Sequence, residues 1–331
     1  RRKIMTVLVL GGAGYVGSHA VSMLMEKGYD VAVVDNFVTG HRQAIPENVR
    51  LYEGDVLDRE FLSHVFSSEN NIEGIMHFCA YSLVGESMVN PMMYFDNNVG
   101  GCISILETMQ AFDVKHIVFS STAATFGVPE SSPISELTPQ NPINPYGESK
   151  LIMEKMMKWQ STATDMTYVA LRYFNVAGAK GDGSIGEAHK NETHLIPIIL
   201  QTALGQRDVI TIYGDDYQTP DGTCIRDYID MEDLIDAHIK ALEYLKAGGQ
   251  SDAFNLGSSK GYSNLEVLET ARKVTGCDIP SQIGERRPGD PDALVADASK
   301  AGQVLGWSAK HDIEHIITNA WQWHKNHPTG Y

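Results

Sequence analysis

The sequence predicts an α/β fold in which a doubly wound parallel sheet is followed by a smaller α/β domain. Two observations lead to this prediction. Short apolar runs alternate with helical patterns through the first half of the chain, as they do in repeated βα units. The apolar runs are nearly continuous rather than alternating with polar residues, which is typical of strands that helices cover on both faces.

The elements of the first half follow one another in a regular order. The last helix of this half is marked by NPINPYGESK, because a residue before proline avoids the α region and proline suits a first helical turn. The predicted order is a strand in TVLVLGG, a helix over 14–27, strands in DVAVVDN and VRLYEGD, a helix in LDREFLSHVFSSE, a strand in IEGIMHFCA, a helix near 90–111, a strand in HIVFSS, a helix from Pro145 to about Gln160 and a strand in YVALRYFN.

The chain changes character after Asn175. The stretch VAGAKGDGSIGEAHKNETH is long, polar and rich in glycine, and the elements beyond it are shorter and separated by loops. We therefore predict a first domain over 1–176 and a second over 177–331, with segments near 229–257 returning to the first. Later elements are predicted in VITIYG, MEDLIDAHIKALEYL, DAFNLG, NLEVLETARKVTG and DIEHIITNAWQWHKNH.

Composition limits the partners of the protein. Its 331 residues include 26 basic and 42 acidic ones, and the net charge of −16 opposes general binding to nucleic acid or an anionic membrane. The four scattered cysteines show no disulfide framework, and TVLVL is too short to span a membrane, so we expect a cytoplasmic location. We expect no metal, because the histidine pairs near the carboxyl terminus (His311 and His315, His324 and His327) lack an HExxH pattern.

A nucleotide site is predicted where the first strand meets the first helix. LGGAGYVGSH places Gly11, Gly14 and Gly17 where a pyrophosphate can approach the free N–H groups of a helix N-terminus. Asp35 ends the next strand, eighteen residues after Gly17. A carboxylate there accepts hydrogen bonds from a ribose diol and repels a 2′-phosphate, which favours NAD over NADP. Asp55 ends a further strand, near the expected adenine.

A reactive pair is predicted at the start of the helix that follows NPINP. Tyr146 and Lys150 are four residues apart and share one helix face. A free phenol has a pKa near 10, so using it as a base near pH 7 requires about 3 units, or roughly 4 kcal/mol. An adjacent cation supplies about 1–3 units. Lys150, together with the nicotinamide cation, can cover the difference. An apolar stripe on the same helix is typical of a core or a subunit interface: Ile152, Met153, Met156 and Met157.

These motifs resemble the extended short-chain dehydrogenase/reductase superfamily. The resemblance rests on the G-x-x-G-x-x-G spacing, on FSSTAATFG and on the YxxxK pair, and it implies a Rossmann sheet with a catalytic set of Tyr146, Lys150 and Thr122. Within the superfamily the whole chain resembles the UDP-glucose 4-epimerase family. The shared motifs occur in the family's order: GGAGYVGSH, VVDN, EGD, VGESM, DNNV, NPYGESK, LRYFNVAGA, YGDDYQTPDGTCIRDYI, RRPGDP and VADASKA.

The resemblance implies ligand roles for individual residues. Asn175 is expected at the substrate diphosphate region, Tyr213 on uracil, and Asp290 near the uridine ribose. Arg226 and Arg287 are expected at loop positions, where arginine matches phosphate oxygens bidentately. The implied cofactor contacts are Gly11, Gly14, Tyr15, Val16, Gly17, Asp35, Asn36, Asp55, Val56, Phe78, Ala80, Asn97, Tyr146, Lys150 and Tyr173. The implied substrate contacts are Thr122, Tyr146, Asn175, His194, Leu195, Tyr213, Arg226, Arg287, Asp290 and Leu294.

The resemblance also implies an activity. It is the reversible interconversion of UDP-galactose and UDP-glucose through a 4-keto sugar, with NAD as cofactor, in a homodimer formed by the helices near 90–111 and 145–160. Five positions depart from or qualify the family pattern: Leu10 replaces a threonine, Ser82 a lysine, Thr122 a serine and His194 an asparagine, and the bulky Leu294 favours sugars without an N-acetyl group.

Three other functions compete with this one. A sugar-nucleotide dehydratase needs acidic residues directly after the catalytic threonine, where this chain has Ala123 and Ala124. A uronic acid epimerase or decarboxylase acting on UDP-glucuronate shares the same core and stays open. A non-catalytic NAD-sensing protein has no need of a poised base, which Tyr146 and Lys150 would provide.

Overall fold

The computed structural model describes residues 5–69, 71–287 and 289–331, so Pro288 of the RRPGDP motif lies outside the described residues. The chain forms two compact units. Unit 1 consists of the described residues up to Gly127, of Pro139–Arg172 and of Ile235–Phe254. Unit 2 consists of Val128–Thr138, Tyr173–Leu234 and the remainder from Asn255 to Tyr331. The binding of NAD by the first domain and of the UDP-sugar by the second stays a prediction.

The secondary structure alternates as the sequence predicts through the first half. The strands are β1 (Thr6–Leu10), β2 (Asp30–Asp35), β3 (Arg50–Glu53), β4 (Ile72–His77), β5 (His116–Thr122), β6 (Thr167–Tyr173), β7 (Asn175–Ala177), β8 (Ile210–Tyr213), β9 (Ile225–Asp230), β10 (Asp252–Leu256), β11 (Gly261–Ser263), β12 (Ser281–Gly284) and β13 (Ala293–Leu294). The helices are α1 (Tyr15–Glu26), α2 (Arg59–Ser68), α3 (Val84–Val89), α4 (Pro91–Tyr94), α5 (Gly101–Ala111), α6 (Pro145–Ala163), α7 (Leu195–Ala203), α8 (Met231–Lys246), α9 (Asn264–Thr275), α10 (Ser299–Leu305) and α11 (Ile313–Asn326).

The large sheet confirms the predicted doubly wound fold. Its strand order is β10-β6-β5-β4-β1-β2-β3, and β1 pairs in parallel with both β2 and β4. The order therefore reverses beside β1, and ligands of such sheets bind at the carboxyl ends of the strands at this point. Leu10 lies opposite Val34 on one side and His77 on the other, so three strands end at the same level.

The core of unit 1 surrounds this sheet. Leu8, Ile75 and Phe119 are completely buried, and Met153 and Met157 of α6 pack into the same cluster. Each such side chain contributes roughly 1.5–3 kcal/mol through burial. Part of the apolar stripe on α6 is therefore core, which fixes the helix against the end of β5.

The predicted helix near 90–111 is not one regular α-helix. It consists of α4, a π-helix over Phe95–Gly100 and α5. π-Helical turns hold an extra residue and occur frequently at functional sites. The apolar spacing of the sequence does not reveal this change, because the backbone stays helical from Tyr94 to Gly101.

Unit 2 contains strands that the sequence did not predict, namely β7, β9, β11, β12 and β13, beside the predicted β8. β9 pairs with β7, β11 and β13, while β8 pairs with β12. These strands are short or polar, and IRDYID of β9 is polar although nearly all of it is buried. Val128–Thr138 also belongs to unit 2 rather than to the first domain, because the N–H of Ile134 donates to the carbonyl of Val295 at 2.8 Å.

Among the described helices, none has the length and apolarity required to cross a membrane.

Candidate active site

The turn between β1 and α1 is built for close backbone packing. Gly11 has a φ of +79°, which favours glycine, and its N–H donates to the carbonyl of Val34 at 2.8 Å. A Cβ on Gly17 would lie 2.0 Å from the carbonyl oxygen of Gly11. Gly14 precedes α1, and no side chain caps the helix there. The first N–H groups of α1 are thus presented to an anion.

We expect Gly17→Ala to force this turn open. The clash with the Gly11 carbonyl should lower the free energy of unfolding by about 1–3 kcal/mol, as overpacking does, and should reduce the NAD retained after gel filtration. Gly85→Ala is the matched control, since a Cβ on Gly85 would meet no described atom within 4 Å outside its own helix backbone and chain neighbours. Equal thermal stability and equal NAD content of the two variants would contradict the packing argument.

Asp35 is held at the end of β2 by two backbone groups. One carboxylate oxygen accepts the N–H of Ala13 and the other that of Phe37, both at 2.8 Å. The side chain is largely buried, and burial raises the pKa of Asp35 even though these hydrogen bonds oppose the effect. The fixed carboxylate retains lone pairs that can accept hydrogen bonds from a ribose diol.

A cleft of about 550 Å³, part of it open to solvent, lies at the carboxyl ends of these strands. The sequence-predicted cofactor residues that line it are Gly11, Gly14, Asp35, Asn36, Val56, Phe78, Ala80 and Asn97. Residues of the lining that the sequence analysis missed are Val34, Val38, Thr39, Gly54, Cys79 and Tyr81. The predicted residues outside the lining are Tyr15, Val16, Gly17, Asp55, Tyr146, Lys150 and Tyr173. Of these, Asp55 orients the lining by accepting the side-chain amide of Asn36 at 3.0 Å.

The catalytic candidates lie where β5 ends and α6 begins. Asn144 caps α6 by accepting the N–H of Gly147 at 2.8 Å, and Pro145 occupies the first helical position. Lys150 Nζ donates to the carbonyl of Ser120 at 2.8 Å and lies 6.0 Å from the centroid of the Tyr146 ring. Thr122 follows Ser120 by two residues on β5. The structure therefore brings Tyr146, Lys150 and Thr122 to one end of the sheet.

The environment of Lys150 is largely apolar. The side chain is buried, its Nζ lies 4.8 Å from the centroid of the Phe119 ring, and burial lowers the pKa of Lys150 to about 8. Burial likewise lowers the pKa of the nearby His77 to about 3, so that imidazole is neutral. Glu154, one turn further along α6, is already paired with Arg172 at 2.6 Å. A charge on Lys150 is therefore weakly screened and acts strongly on its surroundings.

A buried amide connects the cleft with α6. Asn98, in the π-helix, accepts the N–H of Tyr81 at 2.9 Å, and its Nδ2 lies 3.0 Å from Ser149 Oγ. Ser149 in turn donates to the carbonyl of Tyr146 at 2.8 Å. The sequence analysis selected Asn97, which lines the cleft, and missed Asn98. The pair of asparagines in DNNV was the available signal.

In unit 2 the first group of substrate candidates surrounds β9. The prediction that Arg226 lies on a loop is wrong: it is a buried residue of β9, where the sheet supplies hydrogen-bond partners for a polar strand. Its guanidinium contacts the carboxylate of Asp290. Leu294 lies directly opposite Arg226 on β13. These three predicted residues are thus neighbours.

The second group is an exposed stack at the end of β8. Arg287 places its guanidinium 4.3 Å from the centroid of the Tyr213 ring, and Tyr213 is 40% exposed. Asn175 is exposed at the first position of β7. His194 and Leu195 begin α7, and Nδ1 of His194 lies 2.7 Å from a carboxylate oxygen of Glu187. His194 is therefore engaged by a residue that the sequence analysis did not select.

Known proteins match the chain over nearly its whole length. A family model described as GDP-mannose 4,6 dehydratase matches residues 8–320. A UDP-glucose 4-epimerase of Streptococcus mutans serotype c is 60% identical over 329 residues, which are 99% of each chain. The chain belongs to the UDP-glucose 4-epimerase family. Among solved structures of this family, one is 52% identical with a TM-score of 0.97, covering 98% of this chain and 99% of the other.

A second solved member of the UDP-glucose 4-epimerase family comes from Bifidobacterium longum and is in complex with NAD⁺ and UDP. It is 39% identical, with a TM-score of 0.92, and the match covers 99% of this chain and 100% of that one. The dehydratase family model and the epimerase relatives differ in the reaction that they name. The residues after Thr122 distinguish the two, since Ala123 and Ala124 offer no acid or base for dehydration.

Proposed function

We propose that this protein interconverts UDP-galactose and UDP-glucose by reversible oxidation at C4 of the sugar. The observation that carries the proposal is the placement of Tyr146 beside the buried Lys150. Both residues lie at the carboxyl ends of the strands, where the cleft with the predicted cofactor residues also lies. NAD held along Gly11, Gly14 and Asp35 would supply the reversible acceptor for the C4 hydrogen as hydride. The glycine turn without room for side chains, together with the carboxylate of Asp35, fits this cofactor.

The side chains of unit 1 transfer the proton of the sugar's 4-hydroxyl group. Tyr146 takes the proton of the 4-hydroxyl group and later gives it back, and the charge of Lys150 favours the ionised phenol that this requires. Thr122 offers an oxygen to hydrogen-bond the reacting hydroxyl, while its Oγ1 accepts the N–H of Ala124 at 3.1 Å. The added methyl group relative to serine restricts the rotamer of this oxygen.

The side chains of unit 2 hold the UDP portion. The exposed Arg287 provides local positive charge in a protein with a net charge of −16, and it binds the diphosphate together with Arg226, whose guanidinium also contacts Asp290. Tyr213 stacks on uracil, Asp290 accepts from the ribose and Asn175 contacts the diphosphate region. Because these residues address UDP, the sugar itself can turn and present either face for the return of hydrogen. Leu294 limits the space to glucose and galactose.

Purified protein incubated with UDP-galactose, first without and then with added NAD, tests this function. We expect UDP-glucose to accumulate to a constant ratio, as resolved by chromatography. UDP-galactose that stays unchanged after NAD is supplied would refute the proposal. UDP-glucuronate is the discriminating second substrate, because its conversion would indicate the uronic acid reaction instead. NAD binding without conversion of either sugar nucleotide would favour the NAD-sensing alternative.

We also propose that two copies of the chain associate through the surface formed by α3, α4 and α6. Apolar side chains are highly exposed on α3, α4 and α6, including Met88 (61%), Met92 (68%) and Trp159 (73%). Exposed apolar residues of this kind favour an interface. Sedimentation at equilibrium should give the mass of a homodimer, and a monomer across the concentration range would contradict this.

A cytoplasmic location fits four free cysteines and is testable by cell fractionation.

A further inference from the structure

Four side chains converge just before α7, outside the residues that handle the proton. The segment EAHKNETH brings together Glu187, His189, Glu192 and His194, and each offers one ligand atom within 4.8 Å of the others. Nδ1 of His189 lies 3.1 Å from a carboxylate oxygen of Glu187, and Nδ1 of His194 lies 2.7 Å from the same oxygen. Nδ1 of His194 also lies 3.1 Å from Glu192. Two imidazoles therefore point at two carboxylates.

The carboxylates are buried, and one of their oxygens lacks a hydrogen bond. The side chains of Glu187 and Glu192 are 4% and 3% exposed, whereas that of His194 is 47% exposed. Within the described part of the chain, Oε1 of Glu187 has no partner that meets hydrogen-bond geometry, and its close contacts are those with the Nδ1 atoms of His189 and His194. Buried carboxylates require a compensating cation, and the exposed imidazole edge leaves a route for one to enter.

The geometry points to a binding site for one divalent transition-metal ion of the zinc type, held by Glu187, His189, Glu192 and His194. Two neutral imidazoles and two carboxylates balance the charge of such an ion, and nitrogen and oxygen are among its ordinary ligands. Metal–ligand bonds of about 2.0–2.2 Å place the ligand atoms of a tetrahedral site about 3.3–3.6 Å apart. The ligand oxygen of Glu187 lies 3.1 Å from His189 Nδ1 and 2.7 Å from His194 Nδ1, and the second oxygen of Glu192 lies 3.4 Å from His189 Nδ1. All four ligand atoms lie within 4.8 Å of one another, so a modest adjustment gives tetrahedral spacing.

Surrounding contacts fix the ligands in place, as they do around metal centres. One carboxylate oxygen of Glu192 accepts the N–H groups of Thr193 and His194, each at 2.8 Å, and its other oxygen lies 3.4 Å from Nδ1 of His189, inside the cluster. The carbonyl of Glu187 accepts the indole N–H of Trp323 at 3.1 Å. The segment is therefore supported at both ends before a metal arrives.

The alternative to a bound metal is protonation of both imidazoles. Burial by itself lowers the pKa of each imidazole, but the two carboxylates outweigh burial and raise the pKa of His189 to about 9 and that of His194 to about 10. Protonated imidazoles would then balance the carboxylates without a metal. The two states differ in composition, so a direct measurement distinguishes them. With a metal bound, the ring of His194 would be withdrawn from its predicted contact with the sugar nucleotide.

Metal content is the test. The full chain, prepared without a histidine tag, is incubated with Zn²⁺, desalted and analysed by mass spectrometry of its metals, and Co²⁺ is substituted to record the visible spectrum of a four-coordinate site. We expect about one Zn²⁺ per chain and a tetrahedral Co²⁺ spectrum. Absence of both in the wild-type protein would overturn the proposal in favour of the protonated pair, whether or not any variant folds.

Variants locate the ion. Glu187→Gln and His189→Asn should lose the bound Zn²⁺ while retaining the far-ultraviolet circular dichroism of the wild type. His315→Asn is the matched control, because His315 belongs to a separate group with Asp230 and His311 that also satisfies the spacing of metal ligands. Loss of Zn²⁺ from the control alone, or retention in all three variants, would place the ion elsewhere and overturn the assignment.

Discussion

Tyr146→Phe should reduce the turnover of UDP-galactose by about 10³- to 10⁴-fold, at the upper end of what one general base contributes. The substitution removes only the phenolic oxygen that takes the proton of the 4-hydroxyl group. The ring itself remains, so its edge contact with Tyr94, at 6.5 Å between centroids, should persist. Steady-state kinetics with the wild type and the variant provide the comparison.

The affinity for UDP is the control for this variant. Its proposed contacts lie in unit 2, on Arg226, Arg287 and Tyr213, so titration calorimetry should give the same Kd for UDP as in the wild type. A variant that turns over normally would remove Tyr146 from the mechanism. A variant that loses both turnover and UDP binding would indicate that the substitution disturbs more than the proton transfer.

Lys150→Met should abolish the assistance to Tyr146 and yet stabilise the fold. Without the cation, the pH at which turnover rises should increase by about 1–3 units. The stability gain arises because burial lowers the pKa of Lys150 from 10.5 to about 8, so the charged form is disfavoured in the folded state. Subtracting the lost hydrogen bond to Ser120, we expect the free energy of unfolding to increase by about 1–2 kcal/mol at neutral pH.

The pH dependence of this gain identifies its origin. Between pH 8 and 10.5 the unfolded wild-type chain binds more protons at Lys150 than the folded chain does, so wild-type stability rises there. The gain of Lys150→Met should therefore be complete below pH 8 and disappear above 10.5. Lys155→Met, on the exposed side of α6, is the control and should show no such dependence. A gain that is independent of pH would contradict the buried charge.

The first half of the fold could be predicted because its signals are local. Continuous apolar runs identify strands that are covered on both faces, and β1 shows all five residues buried. The spacing of Tyr146 and Lys150 and the position of Asp35 after the glycine turn depend only on helix periodicity and strand ends. These features need no knowledge of distant parts of the chain.

The rest depends on contacts that the sequence does not display. β9 can be polar because the guanidinium of Arg226 pairs with Asp290, and the carboxylate of Asp227 accepts backbone N–H groups of Ser258, Ser259 and Ala296. Its partner β13 has only two residues. The role of Asn98 requires the approach of Tyr81 and Ser149, which lie far away in the sequence. The E-x-H-x-x-E-x-H spacing before α7 lies in a segment without helix or strand, so no periodicity indicates that its four side chains converge.

The most direct test of reversible oxidation follows the hydrogen at C4. UDP-galactose that carries deuterium at C4 is incubated with the protein, and the UDP-glucose formed is analysed by mass spectrometry and NMR. Reversible oxidation that returns the same hydrogen predicts that the deuterium remains at C4 of the product. Replacement of that deuterium by solvent hydrogen would contradict the mechanism, because it would show that the hydrogen leaves as a proton rather than as hydride.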